Sequence, residues 1–81
     1  MIKNKNEKKA IQYLNNKGYK VVKEKNCIAV ILDKDNIKQK IFFMENDCYM
    51  LVNCRLDNES IFGENIHFYE INDLYNYILN I

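Results

Sequence analysis

Apolar residues recur at helical spacing near the two ends of this chain and at strand spacing in between. Ala10, Ile11 and Leu14 share one face of a helix predicted over about Lys5 to Lys17, with Asn4 or Asn6 as its cap and Gly18 as a left-handed stop. An extended run from Tyr19 to Glu24 follows, with Tyr19 and Val21 pointing one way and Lys20 and Val22 the other, and Lys25-Asn26 reads as a turn. Cys27 to Leu32 is an unbroken apolar run rich in β-branched residues, the pattern of a central strand covered on both faces. Asp33 to Asn36 carries turn chemistry, Ile37 to Met44 is the next strand, and Glu45-Asn46-Asp47 turns the chain again. From Cys48 to Leu56 the alternation is regular. Cys48, Met50, Val52, Cys54 and Leu56 share one face, and Tyr49, Leu51, Asn53 and Arg55 the other, as expected of a strand with one face on the core. Asp57 to Asn65 is polar, contains Gly63 and reads as a loop pinned by Ile61 and Phe62. Ile66 to Ile71 is a short strand, and Asn72 caps a final helix carrying Asp73, Leu74, Tyr75, Tyr77 and Ile78.

Connections this short join antiparallel neighbours, because a parallel pair needs a crossover of a dozen residues or more. The expected fold is therefore α+β: an antiparallel four- or five-stranded meander sheet flanked by an N-terminal and a C-terminal helix, both on one face of the sheet. At 81 residues, 48% of them hydrophobic, the chain has the means to build one modest core, so residues 1–81 are expected to form a single domain.

The charges are divided by half. Residues 1–40 carry eleven Lys against four acids, a balance of +7, whereas residues 41–81 carry seven acids against the lone Arg55, a balance of −6. Single-sign surfaces of this kind steer association without determining the fold. Asn, Ile, Lys and Tyr make up 41 of the 81 residues, a bias that suits an AT-rich coding sequence and accounts for many of the Lys and Asn without a functional cause. No run approaches the roughly 20 apolar residues of a membrane span. The opening MIKNKNEKK leads into a charged amphipathic stretch without the apolar block of a signal peptide, so a cytoplasmic location is expected. Cys27, Cys48 and Cys54 show no CxxC spacing, and two of them on one strand would lie about 20 Å apart, beyond disulfide reach. They read as reduced, mostly buried thiols, with no metal or cofactor implied.

Raw material for catalysis is thin. The single His67 sits in the alternating run Ile66-His67-Phe68-Tyr69 and reads as a strand residue, and apolar neighbours such as Ile28, Met50 and Val52 would leave the thiols unreactive. The segments AIQYLNNKGYKVV, IAVILDKD and KIFFMEND resemble the opening of restriction-endonuclease-like nucleases, in which a helix ending in a Gly-aromatic pair precedes a strand with a metal-binding Asp and a strand ending in Glu-x-Lys. The resemblance implies Asp33 or Asp35 and Glu45 as Mg²⁺ ligands. It departs from the pattern where Asp47 stands in place of the Lys and where Val30 or Ile31 occupies the early Asp position.

Two binding surfaces are expected instead. Tyr69, Tyr75 and Tyr77 lie among Glu64, Glu70 and Asp73, an acidic, Tyr-bearing face suited to a protein partner with a basic surface. The alternative is nucleic-acid binding through the Lys-rich first helix, with Lys5, Lys8 and Lys9 on phosphates. Against it stand the near absence of Arg and the acidic second half. A tiny, Arg-poor, cytosolic chain without a catalytic constellation resembles small mobile-element inhibitors such as anti-CRISPR proteins in size and charge. The expected function is thus a non-enzymatic protein-binding module, with a homodimer open to it through opposite poles or an exposed edge strand.

Overall fold

In the computed structural model, which describes residues 6–80, the chain runs α1 (Asn6–Asn16), β1 (Lys20–Lys23), β2 (Ile28–Leu32), a 3-10 turn (Asp33–Asp35), β3 (Ile37–Met44), β4 (Cys48–Arg55), β5 (Ile66–Phe68) and α2 (Ile71–Leu79). The five strands form one antiparallel sheet in the order β1-β2-β3-β4-β5, so the expected meander is the observed one, with five strands.

Local chemistry sets the boundaries. Gly18, at φ +93°, closes α1: the Tyr19 amide reaches the Leu14 carbonyl at 3.0 Å and the Gly18 amide reaches Asn15 at 3.0 Å. This is a Schellman cap, and its accompanying apolar pair is Leu14 and Tyr19. The β3–β4 turn holds Asn46 at φ 60° and Asp47 at φ 54°, residue types that tolerate the left-handed region. Two expected boundaries shift at the C-terminal side. The last strand ends at Phe68 rather than Ile71, and α2 is capped at Glu70 rather than Asn72: the Asp73 amide donates to the Glu70 carbonyl at 3.1 Å, so the helix starts two residues earlier than the Asn-cap rule predicts.

Both helices lie on one face of the sheet, as expected. Their apolar stripes, Ala10 and Leu14 from α1 and Leu74 and Ile78 from α2, meet Ile28, Val30, Ile41, Tyr49 and Leu51 in one buried cluster. The helices run side by side in the same direction. Asn6 donates to the Tyr49 hydroxyl at 2.6 Å near the start of α1, and Glu70 at the start of α2 acts on the same phenol. Tyr13 stacks on Tyr75 at 4.1 Å midway, and the Tyr19 hydroxyl reaches the Ile78 carbonyl at 3.4 Å at the far end. The Cα radius of gyration, 11.9 Å, is close to the ~12 Å expected of one compact body of this length.

Strand alternation then assigns every residue to the inner face, toward the helices, or to the outer face. In β4 the inner set is Tyr49, Leu51 and Asn53, whereas the more uniformly apolar set, Cys48, Met50, Val52 and Cys54, faces outward. Gln39 is a polar residue buried on the inner face, 2% exposed, and its amide donates to Asn53 Oδ1 at 3.2 Å.

Candidate functional site

In a meander, position across the sheet follows position in the sequence. The division of charge along the chain therefore becomes a division in space. Edge strand β1 with α1 packed over it carries Lys8, Lys9, Lys20 and Lys23, whereas the opposite edge, β5 with α2, carries Glu64, Glu70 and Asp73. Four inter-strand spacings separate the two edges, roughly 19 Å. That exceeds the ~8 Å screening length at physiological ionic strength, so the two edge strands are screened from one another, whereas α1 and α2, packed side by side through Tyr13 and Tyr75, bring Lys8 and Lys9 nearer to Glu70 and Asp73.

The middle of the outer face is self-neutralised. Glu24, Lys38, Lys40 and Glu59 form a lattice in which each lysine meets both carboxylates: Lys38 with Glu24 and, at 3.4 Å, Glu59; Lys40 with Glu59 at 3.1 Å and Glu24 at 3.7 Å. The register explains it, since Lys38 sits between Ile31 and Cys54, and Lys40 between Ala29 and Val52. The aliphatic stems lie over those neighbours, and Ala29, Val52 and Cys54 are buried although no described helix covers them. Hydrogen bonding from Lys38 holds the Glu24 carboxyl below its ordinary range, and bonds from Lys40 and Lys38 do the same for Glu59. The lysines move the other way, Lys38 raised by its bond to Glu24 and Lys40 by its bond to Glu59. Burial, with the Glu24 carboxylate accepting the S–H at 3.5 Å, pushes the Cys27 thiol up to about 11, so it is no nucleophile at neutral pH. Glu59 makes these contacts from a left-handed backbone, φ 57°, an unusual setting for a Glu.

The residues singled out from sequence separate into two groups. Glu64, Glu70 and Asp73 are exposed, and among the described residues none forms an ion pair. Glu70 and Asp73 share the first turn of α2, whereas Glu64 lies before β5, at most roughly 20 Å of chain from Glu70. Tyr69 is 70% exposed. Tyr75 and Tyr77 are half-buried: Tyr75 in the stack with Tyr13, burial raising its phenol, and Tyr77 against Phe68 at 5.6 Å. These two roof the sheet, and Tyr69 is the aromatic of the three presented to solvent. Lys8 and Lys9 are exposed on α1, and Lys5 lies outside the described residues.

The nuclease-like carboxylates are not brought together. Asp33 and Asp35 precede β3 and Glu45 and Asp47 follow it, so eight strand residues, about 24 Å, lie between them. Among the described residues no His, Cys, Asp and Glu cluster could hold a metal ion. Cys27 and Cys54 are buried and Cys48 half-buried, all three as free thiols.

No family model, curated protein or solved structure matches this chain.

Sequence reasoning missed one feature. Phe42, Met50 and His67 stand opposite one another in a cross-strand row on the outer face, with Met44 and Cys48 paired in the next row toward the β3–β4 turn. Met44 is 43% exposed and His67 is exposed, while Phe42, Cys48 and Met50 are half-buried. Its signal was present in β4, where both alternating sets are largely apolar, one more than a single covered face requires.

Proposed function

We propose that this protein is a small, non-enzymatic module that acts in the cytoplasm by binding another protein, its acidic β5/α2 side docking on a basic surface of the partner. The observation that carries the reading is Tyr69, 70% exposed between Glu64 and Glu70 in sequence, with Asp73 one helical turn from Glu70 and, among the described residues, no ion pair at any of the three acids. Exposed tyrosine beside uncompensated charge is the composition of a docking site: the ring supplies area at low entropic cost and the charges steer encounter. In size and charge the chain resembles mobile-element inhibitors such as anti-CRISPR proteins and other blockers of host enzymes. The Lys-bearing α1/β1 side supports a second reading, nucleic-acid binding through Lys8, Lys9 and Lys20, all exposed.

Capture from the native host with two variant sets separates them. Reversing Glu64, Glu70 and Asp73 to Lys is expected to slow association and flatten its salt dependence, and Tyr69→Ala to speed dissociation, by about tenfold or more for a true anchor. Unchanged capture by the acidic and Tyr69 variants, with loss of a generic duplex on reversing Lys8 and Lys9, overturns the protein-docking reading in favour of the other.

A further inference from the structure

The outer face gathers three soft donors where β4 meets the short edge strand β5. Cys48 and Met50 are next-but-one neighbours on β4, so both side chains leave the sheet on the same side, and His67 stands directly opposite Met50 on β5. Strand geometry puts the Met50 and His67 Cβ atoms about 5 Å apart, Cys48 about 7 Å from Met50, and Cys48 about 8 Å from His67 on the diagonal. The Cys48 side chain is short, and those of Met50 and His67 are long enough to meet a metal ion beside it. Cys48 and Met50 are half-buried and His67 is exposed, so the cluster is open to an ion from solvent. Among the described residues none of the three side chains is engaged in a hydrogen bond, ion pair or ring contact.

The donor set selects the metal. Thiolate and thioether sulfur are soft ligands that favour Cu(I), and imidazole suits copper as well. A structural zinc site takes four Cys, His or carboxylate ligands, and of this set only Cys48 and His67 qualify. Charge points the same way. Cu(I) with one thiolate is neutral overall, whereas a divalent ion on the same ligands leaves a net positive charge among half-buried apolar neighbours such as Phe42, which stands opposite Met50 on β3.

We propose that Cys48, Met50 and His67 form a Cu(I) site. On binding, the Cys48 S–H bond breaks, a Cu–S bond forms and the proton passes to water, while the thioether and the imidazole donate lone pairs and no group changes oxidation state. No carboxylate takes part, and the third donor is a thioether, which is why Cys48 and His67 by themselves make no metal centre. The site is independent of the acidic docking reading. Because it bridges β4 to β5, a strand of three residues, the ion also pins that edge to the sheet and stabilises the fold by linkage.

The test titrates the whole protein, without oxygen, with Cu(I) held by a competing chelator and in parallel with Zn(II). One Cu(I) per chain is expected, with a rise in Tm and with amide and Met methyl shifts centred on Cys48, Met50 and His67. Met50→Leu conserves volume and apolarity while removing the sulfur, and His67→Gln changes an exposed residue, so both leave the fold in place. Each is expected to weaken Cu(I) binding at least about tenfold, the loss typical of even an outer-shell partner, and Cys48→Ser by more. Because the shift map is read on the unaltered protein, it stands even if a variant folds poorly. Shifts centred on Cys27 or Cys54, zinc binding as tight as copper, or no binding against the chelator each overturn the proposal. So does unchanged affinity in Met50→Leu and His67→Gln, the mark of adventitious capture by one thiol.

Discussion

Glu24→Gln is the sharpest probe of the outer face, because it keeps the side-chain shape and removes one charge from the four-residue lattice. Glu24 accepts from Lys38, lies 3.7 Å from Lys40 and accepts the Cys27 S–H. A hydrogen bond between charged groups contributes about 1.5–3 kcal/mol when shielded, and an exposed ion pair about 0.2–1 kcal/mol. The Glu24 side chain is 24% exposed and that of Lys38 12%, which places this contact between the two cases. A loss of about 1.5 kcal/mol is expected, or a fall in Tm of roughly 6–12 °C for a domain of this size. The pH dependence carries the sign. Glu24 and Glu59 are depressed in the folded state, so their stabilisation is present above the unfolded carboxylate value of about 4.3 and disappears as pH falls through the folded value. The gap between wild type and Glu24→Gln in urea denaturation should therefore be full at neutral pH and should close in acid. On the alkaline side Lys38 and Lys40 are raised, so their contribution holds below about 10.4 and is lost only above it. Equal stability at neutral pH, or a gap that persists unchanged in strong acid, would refute the lattice as a stabilising element.

Gly18→Ala isolates backbone strain from packing, since a Cβ at this position meets no atom within 4 Å yet the residue sits at φ +93°. It should destabilise by about 1–2 kcal/mol in thermal melts, with Gly18→Asn costing less, and equal melts for all three proteins would contradict the cap assignment. Among the thiols, half-buried Cys48 should react with a thiol reagent in the native protein, while buried Cys27 and Cys54 become available only on unfolding. Rapid native modification of more than one thiol per chain would show that the strands open more readily than their burial implies.

The fold was legible because its rules are local. Connections of a few residues leave little choice but antiparallel neighbours, and the Leu14-to-Tyr19 signal for the end of α1 is contained in six consecutive residues. The site was less so. Alternation in β4 separates Cys48, Met50, Val52 and Cys54 from Tyr49 and Leu51, but a period of two cannot say which set the helices cover, and the more apolar set lies on the side without them. Glu24, Lys38, Lys40 and Glu59 are scattered over 36 positions and meet only through strand register and the left-handed turn at Glu59. The tyrosines illustrate the same limit: Tyr69 and Tyr75 look alike in sequence, and only the packing of α1 beside α2 hides one of them against Tyr13.

All four strand pairings join consecutive strands, whereas α1 and α2 meet across most of the chain, as in the Tyr19–Ile78 contact 59 residues apart. Short loops close at little entropic cost, so the hairpins are the early events and docking of α2 is the late one. In refolding, until α2 docks, a sheet already formed has only half of its roof, and Tyr49 and Leu51 wait for Leu74 and Ile78 to cover them. The refolding chain is therefore most open to chaperones and to aggregation in the interval between closure of its hairpins and docking of its C-terminal helix.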